Sequence, residues 1–97
     1  MEIQFEWDYL KNIKNKKKHD ILFEEAVTVF YDDNALLYFD PEHSEEEERF
    51  LLLGYTSTNI IFIVSHCYRE DKVIRIISAR KATKEEREEY YRYNGGK

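Results

Sequence analysis

The chain has little of what disulfides, linkers and metal cages require: its 97 residues include one cysteine, one proline and three glycines. The lone Cys67 excludes an internal disulfide and a cysteine-based metal site. No apolar run is long enough to cross a membrane, and the first residues lack the basic start and apolar stretch of a signal peptide. We therefore expect a single domain, residues 1–97, that works in a reducing cytoplasm and away from membranes.

Charge is abundant and is segregated along the chain. Charged residues make up 36% of the sequence and aromatic residues 15%, which is typical of a folded domain with a highly charged surface. The formal net charge is -5, yet the basic residues gather in two groups, which are Lys11, Lys14, Lys16, Lys17 and Lys18, and Arg69, Arg75, Arg80 and Lys81. Because attraction between charges is short-ranged at cellular salt, these groups can bind a polyanion even on an acidic protein.

The first part of the chain predicts a strand and then a helix. Apolar and polar residues alternate over positions 3–7, which indicates a short strand. Asp8 follows it and is placed to cap a helix over positions 9–17. In that helix, Leu10 and Ile13 would lie on one side, and lysines would cover the rest.

The remaining pattern predicts one more helix, four strands and a final helix. The second helix covers positions 23–30, with Asp20 as a candidate cap. Gly54, within the strands, indicates a bulge or a point of close approach. A Thr-x-x-Glu capping box at Thr83 opens the last helix, over positions 84–93. The strands are joined by short turns and cover positions 35–39, 49–56, 60–68 and 72–80. This order predicts an α+β domain with a mainly antiparallel sheet of four to five strands, two N-terminal helices and a C-terminal helix.

The run at positions 74–82 carries arginines within a β-branched strand. Strict alternation places Arg80 on the same face as Ile74 and Ile76, and Arg75 on the other face. An arginine in such a strand must pair with a carboxylate, reach the rim of the sheet, or bind an anion. This run is therefore the first candidate for a functional site.

Several short motifs occur in an order that resembles one family. They are F-E-W-D at 5–8, N-x-x-K-H at 15–19, F-E-E-A at 23–26, E-R at 48–49, I-R-I-I-S-A-R-K-A at 74–82 and E-R-x-x-Y at 86–90. The set resembles the BrnT family of toxins from bacterial type II toxin–antitoxin systems. The chain departs from the family pattern at Asp20, where a glycine is common, and at Leu22, where a small polar residue is common.

The resemblance implies a fold and a function. The fold would be similar to that of the RelE-type ribonucleases. The activity would be that of a metal-independent ribonuclease without a cofactor, which halts translation. A BrnA-type antitoxin would neutralise it, and DNA would be bound only indirectly, through the DNA-binding domain of the antitoxin.

Cleavage of RNA without a metal defines the side chains to look for. A base must take the proton of the 2′-hydroxyl, cations must stabilise the transition state, and an acid should protonate the leaving oxygen. Arginine and lysine suit phosphate oxygens, and histidine suits proton transfer near neutral pH. The candidate catalytic residues are Lys18, His19, His66, Arg75 and Arg80, and the candidate substrate-binding residues are Lys14, Lys17, Arg69 and Lys81. The three histidines show no metal-ligand spacing, so we expect no metal site.

Each candidate also has a structural interpretation. Arg75 could pair with a carboxylate of a neighbouring strand, His66 could be a buried structural histidine, and His19 could cap a helix. A second class of function is a non-catalytic interaction module, in which the acidic surface and the sheet edge bind a basic partner. Direct binding of DNA is disfavoured, because no basic helix-turn-helix pattern is present. The residues alone indicate a small α+β domain with an anion site, and the resemblance favours the ribonuclease.

Overall fold

The structure is a computed structural model that describes residues 2–95. Its five strands form one sheet in the order β1-β5-β4-β3-β2, in which β1 runs parallel to β5 and all other neighbours are antiparallel. The elements are β1 Gln4–Glu6, α1 Tyr9–His19, α2 Phe23–Val27, a 3₁₀ turn Thr28–Tyr31, β2 Leu36–Asp40, a 3₁₀ turn Pro41–His43, β3 Arg49–Tyr55, β4 Ile61–Glu70, β5 Val73–Lys81 and α3 Lys84–Tyr93. The predicted α+β fold is confirmed. None of the helices within residues 2–95 is long and apolar enough to cross a membrane.

The two faces of the sheet differ in how they are covered. The inner face is the one covered by α2 and the first 3₁₀ turn, and it holds a buried core of Ile21, Phe23, Ala26, Val29, Leu52, Phe62, Val64, Ile76 and Ala79. The open face is the opposite one, and α3 covers only one end of it, where its Tyr90 packs with Leu53, Ile61, Ile63 and Ala82. The rest of the open face is left accessible beside α1.

Helix α1 is held to the sheet by amide side chains, and the apolar side formed by Leu10 and Ile13 does not pack into the core. Leu10 is 64% exposed and Ile13 36% exposed, whereas Asn12 and Asn15 are buried. The physical reason is hydrogen bonding: Asn12 bonds the start of α2 and Asn15 bonds β5, so the helix is oriented by polar contacts. Asp8 caps the helix as predicted, accepting from the amides of residues 10 and 11.

The loop after α1 explains one departure from the family pattern. Asp20 ends the helix in the left-handed conformation, with φ of 60°, and its N–H donates to the Lys16 carbonyl. A glycine adopts this conformation without strain, which is the reason that glycine is favoured at such a position. Asp20 is therefore the cap that ends α1 and does not begin α2. The N–H of Leu22, the residue that precedes α2, donates instead to the carboxylate of Glu25.

A bulge in β5 overturns the predicted face of Arg80. Ser65 pairs with Ser78 but the next residue of β4, His66, pairs with Ile76, so one residue of β5 is left over. The alternation of side chains shifts by one at this bulge. Arg80 therefore lies on the open face with Ser78, away from Ile76 on the inner face.

Two local predictions agree with the structure, and one differs from it. Thr83 and Glu86 form the capping box of α3. Gly54 marks a close approach, because a Cβ there would lie 2.9 Å from both the Ala35 Cβ and the Asp32 Oδ2. The second helix is shorter than predicted, because after Val27 it tightens into the 3₁₀ turn.

Candidate functional site

A cavity of about 640 Å³ lies on the open face, between α1 and the strands. Its basic and imidazole side chains are Lys11, Lys14, Lys18 and His19 of α1, His43 before β3, Arg49 of β3 and Arg80 of β5. Asp40 and Glu42 are its only carboxylates among the described residues, and small or apolar residues of the strands line it as well, among them Leu51, Ile63, Ser65 and Ser78. The cavity is therefore a basic pocket on an acidic protein, which suits an anionic ligand.

Asn15 sets the position of the α1 wall of this cavity. Its Nδ2 donates to the Ala79 carbonyl at 2.9 Å and to the Ile21 carbonyl at 3.0 Å, and its Oδ1 accepts from the Ala79 N–H at 3.0 Å. The residue bonded in β5 directly precedes Arg80. Lys14 and Lys18 lie on the same face of α1, since they are four residues apart, and both line the cavity. One buried amide thus places α1 lysines beside the β5 arginine.

The guanidinium of Arg80 is oriented by a carboxylate of α3. Its Nη1 and Nη2 donate to the two oxygens of Glu86 at 2.8 and 2.9 Å, and Nη1 also donates to the Lys81 carbonyl at 3.2 Å. These hydrogen bonds lower the pKa of Glu86 to about 2 and raise the pKa of Arg80. Glu86 also accepts from the Thr83 N–H in the capping box, so the start of α3 fixes the arginine.

The pairing leaves one edge of the Arg80 guanidinium available. The Nε–H and the second N–H of Nη2 lie side by side, and the described residues supply no acceptor to either. Two adjacent N–H groups match two oxygens of a phosphate. Because the side chain is 40% exposed and lines the cavity, this edge can receive an anion while Glu86 holds the other edge.

A histidine and an arginine at the other wall were missed by the sequence analysis as site residues. Nδ1 of His43 lies 2.9 Å from an Asp40 oxygen, which leaves Nε2 as the ring nitrogen that can exchange a proton with a ligand. The Ser44 hydroxyl donates to the Asp40 carbonyl and accepts from the Arg49 N–H, and so ties this turn to β3. The Nε of Arg49 is buried without a hydrogen bond, 3.7 Å from a Glu47 oxygen.

The structure does not bring His66 to the cavity. Its side chain is completely buried on the inner face, the opposite side of the sheet from Arg80. Nδ1 donates to the Val64 carbonyl at 3.1 Å, and Nε2 lies 3.3 Å from the Tyr68 hydroxyl. Burial lowers the pKa of His66, and its ring packs edge-on against Phe30. The contacts are those of a core histidine.

Arg75 also has a structural partner. Its Nη1 donates to a Glu6 oxygen at 2.8 Å, across the parallel pairing of β5 with β1. Arg75 is not among the residues that line the cavity. The pairing matches the structural interpretation that the sequence had left open for this arginine.

Of the candidate substrate-binding residues, one lines the cavity and three lie outside it. Lys14 lines the cavity, whereas Lys17 and Lys81 are exposed and do not. Arg69 lies about 20 Å farther along β4 than the residue that pairs with Arg80. The structure therefore brings together four of the sequence-predicted site residues, which are Lys14, Lys18, His19 and Arg80.

Comparison with known proteins identifies the family. A family model described as "Ribonuclease toxin, BrnT, of type II toxin-antitoxin system" matches residues 7–86. The chain belongs to the BrnT family of ribonuclease toxins. The crystal structure of the Brucella abortus ribonuclease toxin BrnT is similar, with a TM-score of 0.65 and 20% sequence identity over 84% of this chain and 99% of that one. No curated protein sequence matches the chain significantly.

The BrnT match covers the elements that build the cavity. Residues 7–86 include all of α1, the bulged strand β5 and Glu86, the residue that orients Arg80. The similar crystal structure shares the fold at low identity, so it supports the architecture of this chain and not the role of any single side chain. Within the described residues, no cluster of three His, Cys, Asp or Glu side chains could hold a metal ion.

Proposed function

We propose that this BrnT-family chain is a metal-independent endoribonuclease that cleaves RNA in the cavity of the open face. The observation that carries the proposal is the convergence of Lys18, His19 and Arg80 on one cavity, although they come from motifs at opposite ends of the sequence. A basic cavity suits an RNA backbone. Fixed cations there would also stabilise the extra negative charge of the phosphorane-like transition state.

The proposed reaction needs only the RNA and side chains of the protein. The 2′-oxygen attacks the adjacent phosphorus as a base removes its proton, so an O2′–P bond forms. The bond from phosphorus to the 5′-oxygen then breaks, and an acid gives that oxygen a proton. The products are a 2′,3′-cyclic phosphate and a 5′-hydroxyl, and no electrons are transferred to or from the protein.

The cavity suggests a role for each side chain. The free edge of Arg80 would hold the two non-bridging oxygens of the scissile phosphate, because its two donors are parallel and permanently charged. Lys18 would neutralise the same phosphate, and Lys14 would bind a flanking one. His19 and His43 are the imidazoles that line the cavity, so they are the proposed proton carriers.

The family description places such a toxin in a type II pair with an antitoxin. We propose that cleavage of RNA in the cytoplasm halts translation, and that a BrnA-type antitoxin neutralises the activity. Binding of operator DNA would then be a property of the antitoxin within the complex. The acidic net charge of this chain supports that division of labour, since duplex DNA repels an acidic surface.

Single substitutions in the cavity test the proposal. Arg80→Ala and Lys18→Ala should each lower the rate of RNA cleavage by purified protein at least about 100-fold, the typical effect of removing a donor to transition-state charge. Lys17→Ala is the matched control, since it removes the neighbouring lysine of α1 that does not line the cavity.

The outcomes separate two classes of function. Full activity of the Arg80→Ala protein would contradict the phosphate-binding role. If wild-type protein leaves RNA intact but binds its antitoxin, the chain is a non-catalytic interaction module and the ribonuclease proposal fails.

A further inference from the structure

A row of apolar side chains crosses the inner face of the sheet at the end that the helices leave uncovered. We name it the aromatic strip, and define it as Leu37 and Phe39 of β2, Phe50 of β3 and Tyr68 of β4. The ring centroids of Phe39 and Phe50 are 5.7 Å apart, and those of Phe50 and Tyr68 are 5.3 Å apart. The strip therefore forms one continuous surface over three strands.

The fold does not bury this surface. Leu37 is 53% exposed, Phe39 51% and Tyr68 49%, while the residue beneath them, His66, is completely buried. The exposed rings thus form an outer layer on a core that is already closed. β2 is also an edge strand of the sheet, so nothing within residues 2–95 pairs with its outer side. Contiguous apolar surface of this kind on a soluble domain marks a place where another protein binds.

The charge around the strip restricts what can bind it. The loop that joins Phe39 to Phe50 contains Glu42, the run Glu45–Glu48 and no lysine, and its only cation is Arg49 at the start of β3. On the β4 side, the hairpin at positions 69–72 carries two cations and two anions. A second copy of this chain would bring two acidic loops together, and RNA would be repelled. A segment with apolar side chains and flanking lysines or arginines fits both features.

We propose that the aromatic strip is the docking surface for the antitoxin of this toxin, through a segment that combines apolar and basic side chains. The inference rests on the pairing with an antitoxin that the family implies. It adds that docking occurs on the opposite side of the sheet from the RNA cavity.

A matched pair of double variants tests the proposal. Leu37→Ser with Phe39→Ser removes a leucine and an aromatic ring from the strip. Tyr9→Ser with Leu10→Ser removes the same two kinds of side chain from α1, where Tyr9 is 73% and Leu10 64% exposed. The probe is the purified antitoxin encoded with this toxin, titrated into each purified protein by calorimetry. We expect the Kd of the strip variant to rise at least about tenfold, as for an interface anchor, and that of the α1 variant to stay unchanged.

Two further measurements test the docking surface without relying on the strip variant. Amide hydrogen exchange of wild-type protein should slow in β2 and the start of β3 when the antitoxin is added, and this readout holds even if a variant fails to fold. Replacing Glu45–Glu48 with glutamine should raise the Kd and weaken its dependence on salt. Unchanged Kd in the strip variant, or protection confined to α1, would overturn the proposal.

The test also separates this proposal from the ribonuclease proposal. RNA cleavage by the free strip variant should equal that of wild type, because neither Leu37 nor Phe39 lines the cavity. A strip variant that cleaves RNA and binds the antitoxin normally contradicts the docking surface alone. A wild-type protein that dimerises by itself, together with a monomeric strip variant, would make a second copy the occupant and would overturn the proposal.

Discussion

Glu86 links the stability of the fold to the chemistry of the cavity at the scale of single residues. One carboxylate closes the capping box of α3 and orients the guanidinium of Arg80. Thr83 shares only the first of these tasks, because its hydroxyl accepts from the N–H of residue 86 and does not contact the arginine. The two tasks can therefore be separated by substitution.

Glu86→Gln should lower RNA cleavage about tenfold, because a glutamine can still cap the helix but cannot orient the arginine by charge. Thr83→Ala is the control: it should cost about 1 kcal/mol of stability, the usual value for a lost N-cap, and leave cleavage nearly unchanged. Rates at saturating and at limiting RNA, with thermal unfolding of both proteins, measure the two effects. Equal loss of cleavage in both variants would contradict the positioning role of Glu86.

The pairing of Glu86 also predicts a pH dependence. Its pKa in the folded protein is about 2, below the ordinary value of 4.5. A carboxylate with a lowered pKa stabilises the fold above its ordinary pKa, and that stabilisation is lost as the pH falls from about 4.5 toward 2. Because the pair is partly exposed to solvent, its contribution is about 1–2 kcal/mol. The difference in unfolding free energy between wild type and Glu86→Gln, measured with denaturant, should shrink as the pH falls over this range; a difference as large near pH 2 as above pH 5 would contradict it.

His66 should behave as a core residue in two assays. Its pKa is lowered by burial from the ordinary value of 6.5, so the folded state binds fewer protons than the unfolded state and stability falls as the pH drops below about 6.5. His66→Phe should keep RNA cleavage within about twofold of wild type and remove this part of the pH dependence, up to about 1.4 kcal/mol per pH unit. Loss of RNA cleavage in a folded His66→Phe protein would contradict the structural role and would indicate that His66 takes part in catalysis.

At the scale of elements, the position of α1 against the sheet is held by hydrogen bonds of its asparagine side chains and not by its apolar residues. Asn15→Ala removes three hydrogen bonds and leaves both backbone groups of Ala79 without their amide partner. The expected loss is about 2–4 kcal/mol, together with weaker RNA cleavage as the lysines move away from Arg80. Leu10→Ala on the same helix should cost less than about 0.5 kcal/mol, because that side chain is exposed. Chemical denaturation compares the two, and equal costs would contradict the assignment.

The elements whose signals are local were predictable from the sequence. Asp8 and Thr83 predict where their helices begin, because helix capping depends only on residues close together in the sequence. The strands were predictable from runs of β-branched residues between turns. The bulge in β5 was not predictable, because it depends on which residues of β4 pair with it. That single shift moved Arg80 to the other face of the sheet.

The residues of the candidate site likewise fall into those that a short motif indicates and those that only the folded structure brings to the cavity. Lys18, His19 and Arg80 lie in the motifs, were predicted as site residues, and line the cavity. Asn15 also stood in the N-x-x-K-H motif, but a buried amide does not appear in a hydrophobic pattern, so its role was missed. His43 had no motif signal, since only the folding of the loop before β3 brings it to the cavity.

At the scale of the whole molecule, the sheet separates two kinds of surface. The open face carries a basic cavity, and the far end of the inner face carries apolar rings beside an acidic loop. A net charge of -5 gives no sign of this division, because opposite charges on different surfaces cancel in the sum. In the proposals made above, RNA would bind on one face and a basic segment of the antitoxin on the other.

We propose that this cavity cleaves RNA without a metal. The most direct measurement incubates purified wild-type and Arg80→Ala proteins with RNA, with and without a chelator, and identifies the chemical ends of the products. We expect wild type to cleave equally well in chelator, the fragments to carry 2′,3′-cyclic phosphate ends, and Arg80→Ala to be nearly inactive. Cleavage that disappears in chelator, or fragments that carry 3′-hydroxyl ends, would contradict it.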